Sequence, residues 1–263
     1  MSVLELGPWD LVVAACLVLL AGGVSVVMRL GLERKLAVAS LRTVVQLLLI
    51  GQVLRHVFAF DHPLLVLAVL AVMIVAASRA AVNRPSRTFA GANLFALLTL
   101  AVTGLAITGA VTQLVIGVHP WYHAQYVIPL LGMLLGNSLT GLSLAMDHFL
   151  ERLDARRDEV ETDLALGATR WEAAKEPMAE AVRRGMIPMI NAMMVVGVVS
   201  LPGMMTGQIL AGQDPMGAVK YQIVVMFMLA ASTALASMAM TWLMFRRLFD
   251  VQHRLRRELI RRT

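Results

Sequence analysis

Apolar residues in this chain fall into long unbroken runs separated by short polar breaks. A helix needs about 20 residues to cross bilayer hydrocarbon, so a run of 18 or more is a candidate span. Seven spans are predicted: Trp9–Leu30, Leu36–Phe58, Pro63–Val82, Phe89–Ile116, Gln125–Met146, Met186–Leu210 and Val219–Phe245. The breaks hold turn formers and charges, among them Glu33-Arg34-Lys35, Asp61-His62-Pro63, Asn83 to Arg87 and His119-Pro120-Trp121. Pro removes a backbone donor and disfavours helix in the residue before it, so its clustering in the breaks supports the division. The expected fold is an all-α polytopic membrane protein of about seven transmembrane helices, a single transmembrane domain over residues 1–263.

The bases decide its orientation. Of the 23 Lys and Arg residues, all but Arg55 and Lys220 fall at alternate breaks: around the first and third, between Arg152 and Arg184, and in the tail from Arg246 to Arg262. Cytoplasmic loops carry such an excess, which places the N-terminus outside and the C-terminus in the cytoplasm. Composition agrees. Hydrophobic residues make up 59% and charged residues 15%, with mean hydropathy +0.74. A soluble domain is nearer 45–50% apolar and about 25% charged, so a soluble enzyme, a disordered chain and a nucleic-acid-binding module are excluded. The one cysteine, Cys16, lies in the first run, and no intrachain disulfide is possible. Met1 to Glu5 carry acid and no base, unlike a secretory signal, so a retained first helix is expected.

One polar region is organised. The loop 147–185 holds seven bases and also ten of the seventeen acids, which reads as a hydrated, folded element. Asp154 to Leu166 is rich in helix formers, and Gly167 suits a left-handed helix end. Thr169 stands three residues before Glu172, the spacing of a capping box. The prediction is helix, Gly turn, helix. Leu164, Leu166 and Trp171 would then be exposed near the bend, shaped either for a groove in a partner protein or for folding back on the bilayer.

Leu164-Ala165-Leu166-Gly167-Ala168-Thr169-Arg170-Trp171 resembles the EAA-type loop of ABC-transporter membrane subunits, which docks in a cleft of the ATP-hydrolysing subunit; Thr162-Asp163 departs from the pattern, standing where that class has its acidic-alanine start. Val199-Ser200-Leu201-Pro202-Gly203-Met204-Met205-Thr206-Gly207, with Ile128 to Met133, Gly136-Asn137 and the Arg42-x3-Gln46-x4-Gly51 pattern, resembles the FetB-type permeases. These are bacterial subunits associated with iron export, with plant relatives linked to aluminium tolerance. The resemblance runs from Arg42 to Phe245. It implies a permease in the cell inner membrane, working as a homodimer with separate cytoplasmic ATPase subunits that carry ATP–Mg. The chain itself carries no cofactor on this reading. The residues agree independently: a P-loop needs Gly-x4-Gly-Lys-Ser/Thr, and Lys35, Lys175 and Lys220 follow Arg34, Ala174 and Val219.

Polar groups within spans are costly and point to function or packing. Arg42 and, one turn deeper, Gln46 either line a translocation path or bond a neighbouring helix. Gly132, Gly136 and Thr140 form a small-residue stripe expected to pack closely against another helix, and Asn137 either bonds a neighbour or faces a cavity. The sixth span contains Asn191 and Ser200 and is interrupted at Pro202-Gly203, where an outer gate over Leu201 to Gln208 is expected. The 18 methionines include Met193-Met194, Met204-Met205, Met226 and Met228. They are either adaptable apolar filler or soft ligands. For a metal, the candidates are His119, His123, Met204 and Met205. In the tail, Leu248, Val251, Leu255 and Leu259 at helical spacing predict an amphipathic helix on anionic headgroups.

Four functions compete. An ion-coupled secondary carrier without an ATPase needs ionisable groups at midplane, and the deep span centres are almost free of them. A retinal protein needs a lysine mid-span, whereas Lys220 sits at the start of the seventh. An intramembrane hydrolase lacks its motifs. The permease subunit, exporting iron or another metal ion, leads.

Overall fold

The computed structural model describes residues 7–60, 62–250 and 252–262. Met1 to Glu5, Asp61 and Val251, which figured in the expectations above, lie outside the described residues. The element order is α1 (Pro8–Val27), α2 (Glu33–Phe60), α3 (Pro63–Val82), β1 (Arg87–Phe89), α4 (Ala92–Ala110), a π-helical turn (Val111–Ile116), α5 (Ala124–Ala155), α6 (Arg157–Ala165), α7 (Arg170–Val195), α8 (Gly203–Leu210), α9 (Pro215–Leu248), a 3₁₀ turn (Arg257–Leu259) and β2 (Ile260–Arg262). The chain forms two compact units, one comprising Met1–His62 with Leu210–Gly212 and the other Pro63–Ile209 with Gln213–Thr263.

In the first unit α1 packs on α2. The connection is tied by Ser25, whose hydroxyl donates to Glu33 Oε2 (2.9 Å) and accepts from the Leu32 amide (3.0 Å).

The second unit is organised around α5. Leu130, Leu131, Leu134, Leu142, Met146, Phe149, Leu150 and Leu153 of this helix are fully buried, and α3, α4, α7 and α9 all pack against it. Two buried polar links cross the interfaces. The Ser138 and Ser232 hydroxyls are 2.7 Å apart, and Ser143 Oγ donates to Ala81 O at 2.8 Å. Interhelical hydrogen bonds of this kind contribute about 0.6 kcal/mol on average in a membrane protein.

Small residues let α5, α7 and α9 approach more closely than that. A Cβ added at Gly185 of α7 would lie 2.6 Å from Gly141 O of α5 and 2.9 Å from Ser237 Oγ of α9. One added at Gly141 would lie 2.5 Å from Thr233 Cγ2 and 3.0 Å from Gly185 O. This contact replaces the expected one. Gly136 has no atom within 4 Å of its would-be Cβ, Gly132 meets only the flexible end of Met73, and Thr140 bonds Gly136 O and Arg84. Four-residue spacing identified a small face of α5, but the face one residue further round is the one that packs.

Six helices among the described residues are long and apolar enough to cross a membrane: α1 from Trp9, α2, α3, α4 with its π-helical turn, α5 and α9. The expected span Met186–Leu210 is not one helix. It divides into the end of α7, an irregular stretch and α8. Val196 turns extended (ψ 135°), Gly197 adopts φ +84°, and Pro202 has no amide to donate. The freed groups are satisfied locally, Gly197 N–H by Ser200 O (2.9 Å) and Val199 N–H by Val195 O (2.9 Å).

The tail also departs from expectation. After Leu248 the chain leaves the helix at Phe249, where Asp250 Oδ1 accepts the amides of Gln252 and Arg254 (2.9 Å each) and closes a turn. His253 takes φ +59°, Phe249 bridges Leu255, and β2 pairs antiparallel with β1, Arg87 opposite Arg262 and Phe89 opposite Ile260. The residues from Gln252 to Arg262 are therefore a folded-back ribbon, not an amphipathic helix. Asp154 anchors it, 3.2 Å from Arg87 Nε and 3.8 Å from Arg257 Nη2.

Replacing Gly185 by Ala puts a methyl into backbone atoms and should destabilise the purified protein by about 1–3 kcal/mol through overpacking. Gly136→Ala, with open space around it, should be neutral or stabilising because Ala loses less entropy in a helix. Thermal unfolding in detergent distinguishes the two; equal stability of both variants contradicts the close contact.

Candidate functional site

The elbow between α6 and α7 is built by local chemistry. At the end of α6 the Gly167 amide bonds Leu164 O (3.2 Å) and the Ala168 amide bonds Asp163 O (2.9 Å), the paired bonds of a Schellman ending. The motif needs a left-handed residue, and Gly167 has φ +99°. Two residues on, Thr169 Oγ1 accepts the Glu172 amide (3.3 Å) while Glu172 Oε2 accepts the Thr169 amide (2.7 Å), closing the expected capping box. The Thr169 amide first, and then the Thr169 hydroxyl, which donates to the same Oε2 (2.7 Å), hold the Glu172 carboxyl below its ordinary pKa. Asp163, Ala165 and Thr169 are exposed, Leu164 and Ala168 half-buried, and Leu166 is 82% exposed.

Tertiary contacts that the sequence reading missed then stiffen the elbow. Trp171 meets Trp242 and Phe245 of α9 edge-on, at centroid distances of 6.0 and 5.8 Å. The Arg170 guanidinium lies 5.8 Å over the Phe245 ring and donates to Asp250 O (3.1 Å), while its amide donates to His253 Nδ1 (2.8 Å). That amide bond needs an unprotonated Nδ1. The turn that supplies these partners is held by Asp250, whose carboxyl is lowered chiefly by the Arg254 amide. A Trp242, Phe245, Phe249 stripe at helical spacing was the available signal.

Above the elbow, α5 and α7 are joined by a charged network. Arg152 grips Glu180 in a two-pronged pair, Nε to Oε2 at 2.5 Å and Nη2 to Oε1 at 2.7 Å, with His148 Nε2 3.5 Å from the same carboxylate. The Arg152 hydrogen bond drives the Glu180 carboxyl from 4.5 down to about 2 against the opposing effect of burial. An open groove of about 470 Å³ beside this pair is lined also by Glu151, Arg183 and Arg184.

The expected path and gate residues are scattered. Arg42 and Gln46 are exposed on α2, in the first unit. In the second unit Asn137 is half-buried and bonds its own helix at Met133 O (2.9 Å), and Asn191 is exposed on α7. Ser200 and Pro202 lie in the irregular stretch, and Gly203 opens α8. Met205, but not Met204, lines a cavity of about 540 Å³ at the break, shared with Met193, Met226 and Gln222. His119 is exposed; His123 packs edge-on against Tyr126 (5.5 Å) with a buried, unpartnered Nδ1. Among the described residues no three His, Cys, Asp or Glu side chains group to hold a metal ion.

Several apolar spans, a core of packed helices and a charged elbow at one end define a multi-pass α-helical membrane protein. The chain belongs to the Uncharacterised protein family UPF0014, whose model matches residues 8–249. It is 40% identical over 226 residues to a UPF0014 membrane protein of Synechocystis, covering 85% of this chain and 86% of the relative. It is 33% identical over 247 residues to the probable iron export permease protein FetB of Escherichia coli, covering 94% and 93%. With the protein ALUMINUM SENSITIVE 3 of Arabidopsis thaliana the identity is 31% over 242 residues, covering 92% and 87%. No solved structure matches the chain.

A carboxyl whose folded pKa is depressed stabilises the fold above its ordinary pKa and loses that contribution as the pH falls. Glu180→Gln should therefore be less stable than the parent near neutral pH, with the gap closing as pH drops from 4.5 towards about 2. Thermal unfolding across this range measures it. A gap that stays constant refutes the Arg152–Glu180 contribution.

Proposed function

We propose that this chain is the membrane-spanning permease subunit of an ABC transporter, with the α6–α7 elbow as the surface that receives a separate cytoplasmic ATPase subunit. The observation that carries the reading is the elbow itself: a rigid Gly167 bend, capped on both sides, braced by Trp171 and Arg170 against α9 and the tail, with Leu166 left uncovered at its tip. An apolar side chain so exposed on a stiff turn suits a groove in a partner. The similarity to an E. coli protein named as a probable iron export permease supports the same reading.

The geometry also supplies a transmission. α7 is 26 residues long, about 39 Å at 1.5 Å per residue. It runs as one helix, with Pro177 and Pro188 inside it, from the elbow, past the close contact at Gly185, to the break at Val196. Closure of two ATPase subunits around ATP–Mg draws paired elbows together in a permease homodimer. Gly185, pressed between α5 and α9, acts as the pivot, and the far end of α7 shifts the irregular stretch and α8 over Leu201 to Gln208. Arg42, Gln46, Asn137, Asn191, Ser200 and Pro202-Gly203 are the side of the proposal that concerns the path and gate. The N-terminus lies outside and the C-terminus in the cytoplasm, in the cell inner membrane, since that orientation puts the elbow and 21 of the 23 bases on the ATPase side. The cargo is iron or another metal ion, moving outward.

Leu166→Asp removes an apolar contact of about 1.5–3 kcal/mol and places a charge in the docking groove. Recovery of the cognate ATPase with the tagged permease should fall at least tenfold, while the permease's own unfolding temperature stays unchanged. Undiminished recovery rejects the elbow as the docking site. In liposomes holding the permease–ATPase pair, Fe(II) should stimulate ATP hydrolysis; equal rates with and without Fe(II) reject iron as cargo.

A further inference from the structure

The cavity at the helix break is bordered by three separate elements, and each contributes one thioether: Met193 from α7, Met205 from α8 and Met226 from α9. Three of its ten lining residues are methionine, against 18 of 263 in the chain, so the sulfur is concentrated here beyond the general abundance. Gln222 also lines it. This side chain is only 6% exposed, and its Oε1 is buried without a hydrogen-bond partner. No carboxylate, imidazole or thiol borders the space.

We infer that this cavity is a binding site for a soft monovalent cation of the Cu(I) class, ligated by the thioethers of Met193, Met205 and Met226 with Gln222 Oε1 turned towards it. Three observations select that occupant. Thioethers prefer soft ions, whereas Mg²⁺, Ca²⁺ and Fe(II) want several oxygen or imidazole donors, and the side chains of the walls offer one amide oxygen, that of Gln222. A singly charged ion with neutral ligands demands far less desolvation than a divalent one in an apolar site. A buried amide oxygen needs a positive partner, which a lipid acyl chain entering past the exposed Phe227 and Leu201 would not give. The space, about 540 Å³, is open on the side of the exposed Leu201, Ile223 and Phe227, which gives an ion access to it. Unbranched side chains with three rotatable bonds can converge on an ion within it.

The inference concerns binding and requires no ATPase, so its failure would leave the permease reading intact, and loss of ATPase docking would leave this one intact. The test uses the full chain in lipid nanodiscs with Cys16→Ser, which removes the competing thiol, and titrates it calorimetrically with Ag(I), a redox-inert equivalent of Cu(I). One Ag(I) per chain is expected. The Met193→Leu, Met205→Leu, Met226→Leu triple variant, which nearly keeps side-chain volume, should bind at least 100-fold more weakly. Gln222→Leu should weaken binding several-fold, and Met238→Leu, an exposed methionine elsewhere on α9, should not change it. No uptake by the parent, as when an acyl chain fills the cavity, overturns the inference, as does undiminished binding by the triple variant. Should the triple variant fail to fold, X-ray absorption on the Cu(I)-loaded Cys16→Ser chain decides: sulfur ligation supports the site, and ligation by nitrogen and oxygen alone overturns it.

Discussion

The close approach of backbones at Gly185 of α7 against Gly141 of α5, with Ser237 of α9 beside both, is the constraint on which the rest of the second unit's architecture depends. In lipid there is little hydrophobic gain from pressing two apolar helices together, so association relies on packing between small residues and on interhelical hydrogen bonds. At this point α7 has no side chain to hold it off. Its line is fixed there, and with it the positions of both its ends: Thr169 at the elbow and Val195 at the break. The Ser138–Ser232 and Ser143–Ala81 bonds keep α5 in register with α9 and α3 around the same contact.

The elbow is stiff for two distinct reasons. Its turn is encoded locally by Gly167, Thr169 and Glu172, with a capping interaction of this kind contributing about 1 kcal/mol. Its attitude is set from afar, by the tail. Asp250 closes the turn that presents its own carbonyl and His253 to Arg170, while Trp242 and Phe245 receive Trp171. Arg87, Asp154 and Arg257 tie the same tail to α5. A turn braced on that side and bare at Leu166 is built to pass on a displacement and not to absorb it.

What was legible in the sequence was whatever rests on local chemistry. Pro63–Val82 is reproduced residue for residue, because His62-Pro63 opens it and Asn83-Arg84-Pro85 follows it. The Gly167 turn and the Thr169 box are as expected, since a positive φ and a three-residue spacing carry their own physical requirements. What failed was non-local. Hydropathy averaged over Met186–Leu210 is blind to a turn whose amides find partners within six residues. Helical spacing in the tail was overruled by the Asp250 turn and by pairing with β1, more than 170 residues earlier. The small-residue stripe on α5 was real, but spacing along one helix cannot say which face its neighbours occupy. Of the site, the elbow's outline was readable, whereas Arg152–Glu180 and the aromatic brace join distant segments.

The failed span has a physical logic of its own. The first fifteen residues of α7, Arg170 to Arg184, carry seven charges and belong in water; Gly185 to Val195 carry none. Eleven uncharged residues extend about 16 Å, roughly half the hydrocarbon thickness, so α7 alone cannot complete a crossing. The remaining depth falls to the irregular stretch and to α8. An irregular stretch is tolerated at that depth where its backbone groups find partners, and the short bonds around Gly197 supply them locally for the amides of Gly197, Val198, Val199 and Ser200. The change from charged to apolar coincides with Gly185, the residue pressed hardest against α5 and α9. Under the proposed coupling, the pivot therefore lies at the water–lipid boundary, with a hydrated arm on one side and an apolar arm on the other. On that proposal, motion of the hydrated arm finds its outlet at Val196, where the helix ends. Pro177 and Pro188, which have no amide to donate, are two further points within α7 where the helical ladder is already interrupted.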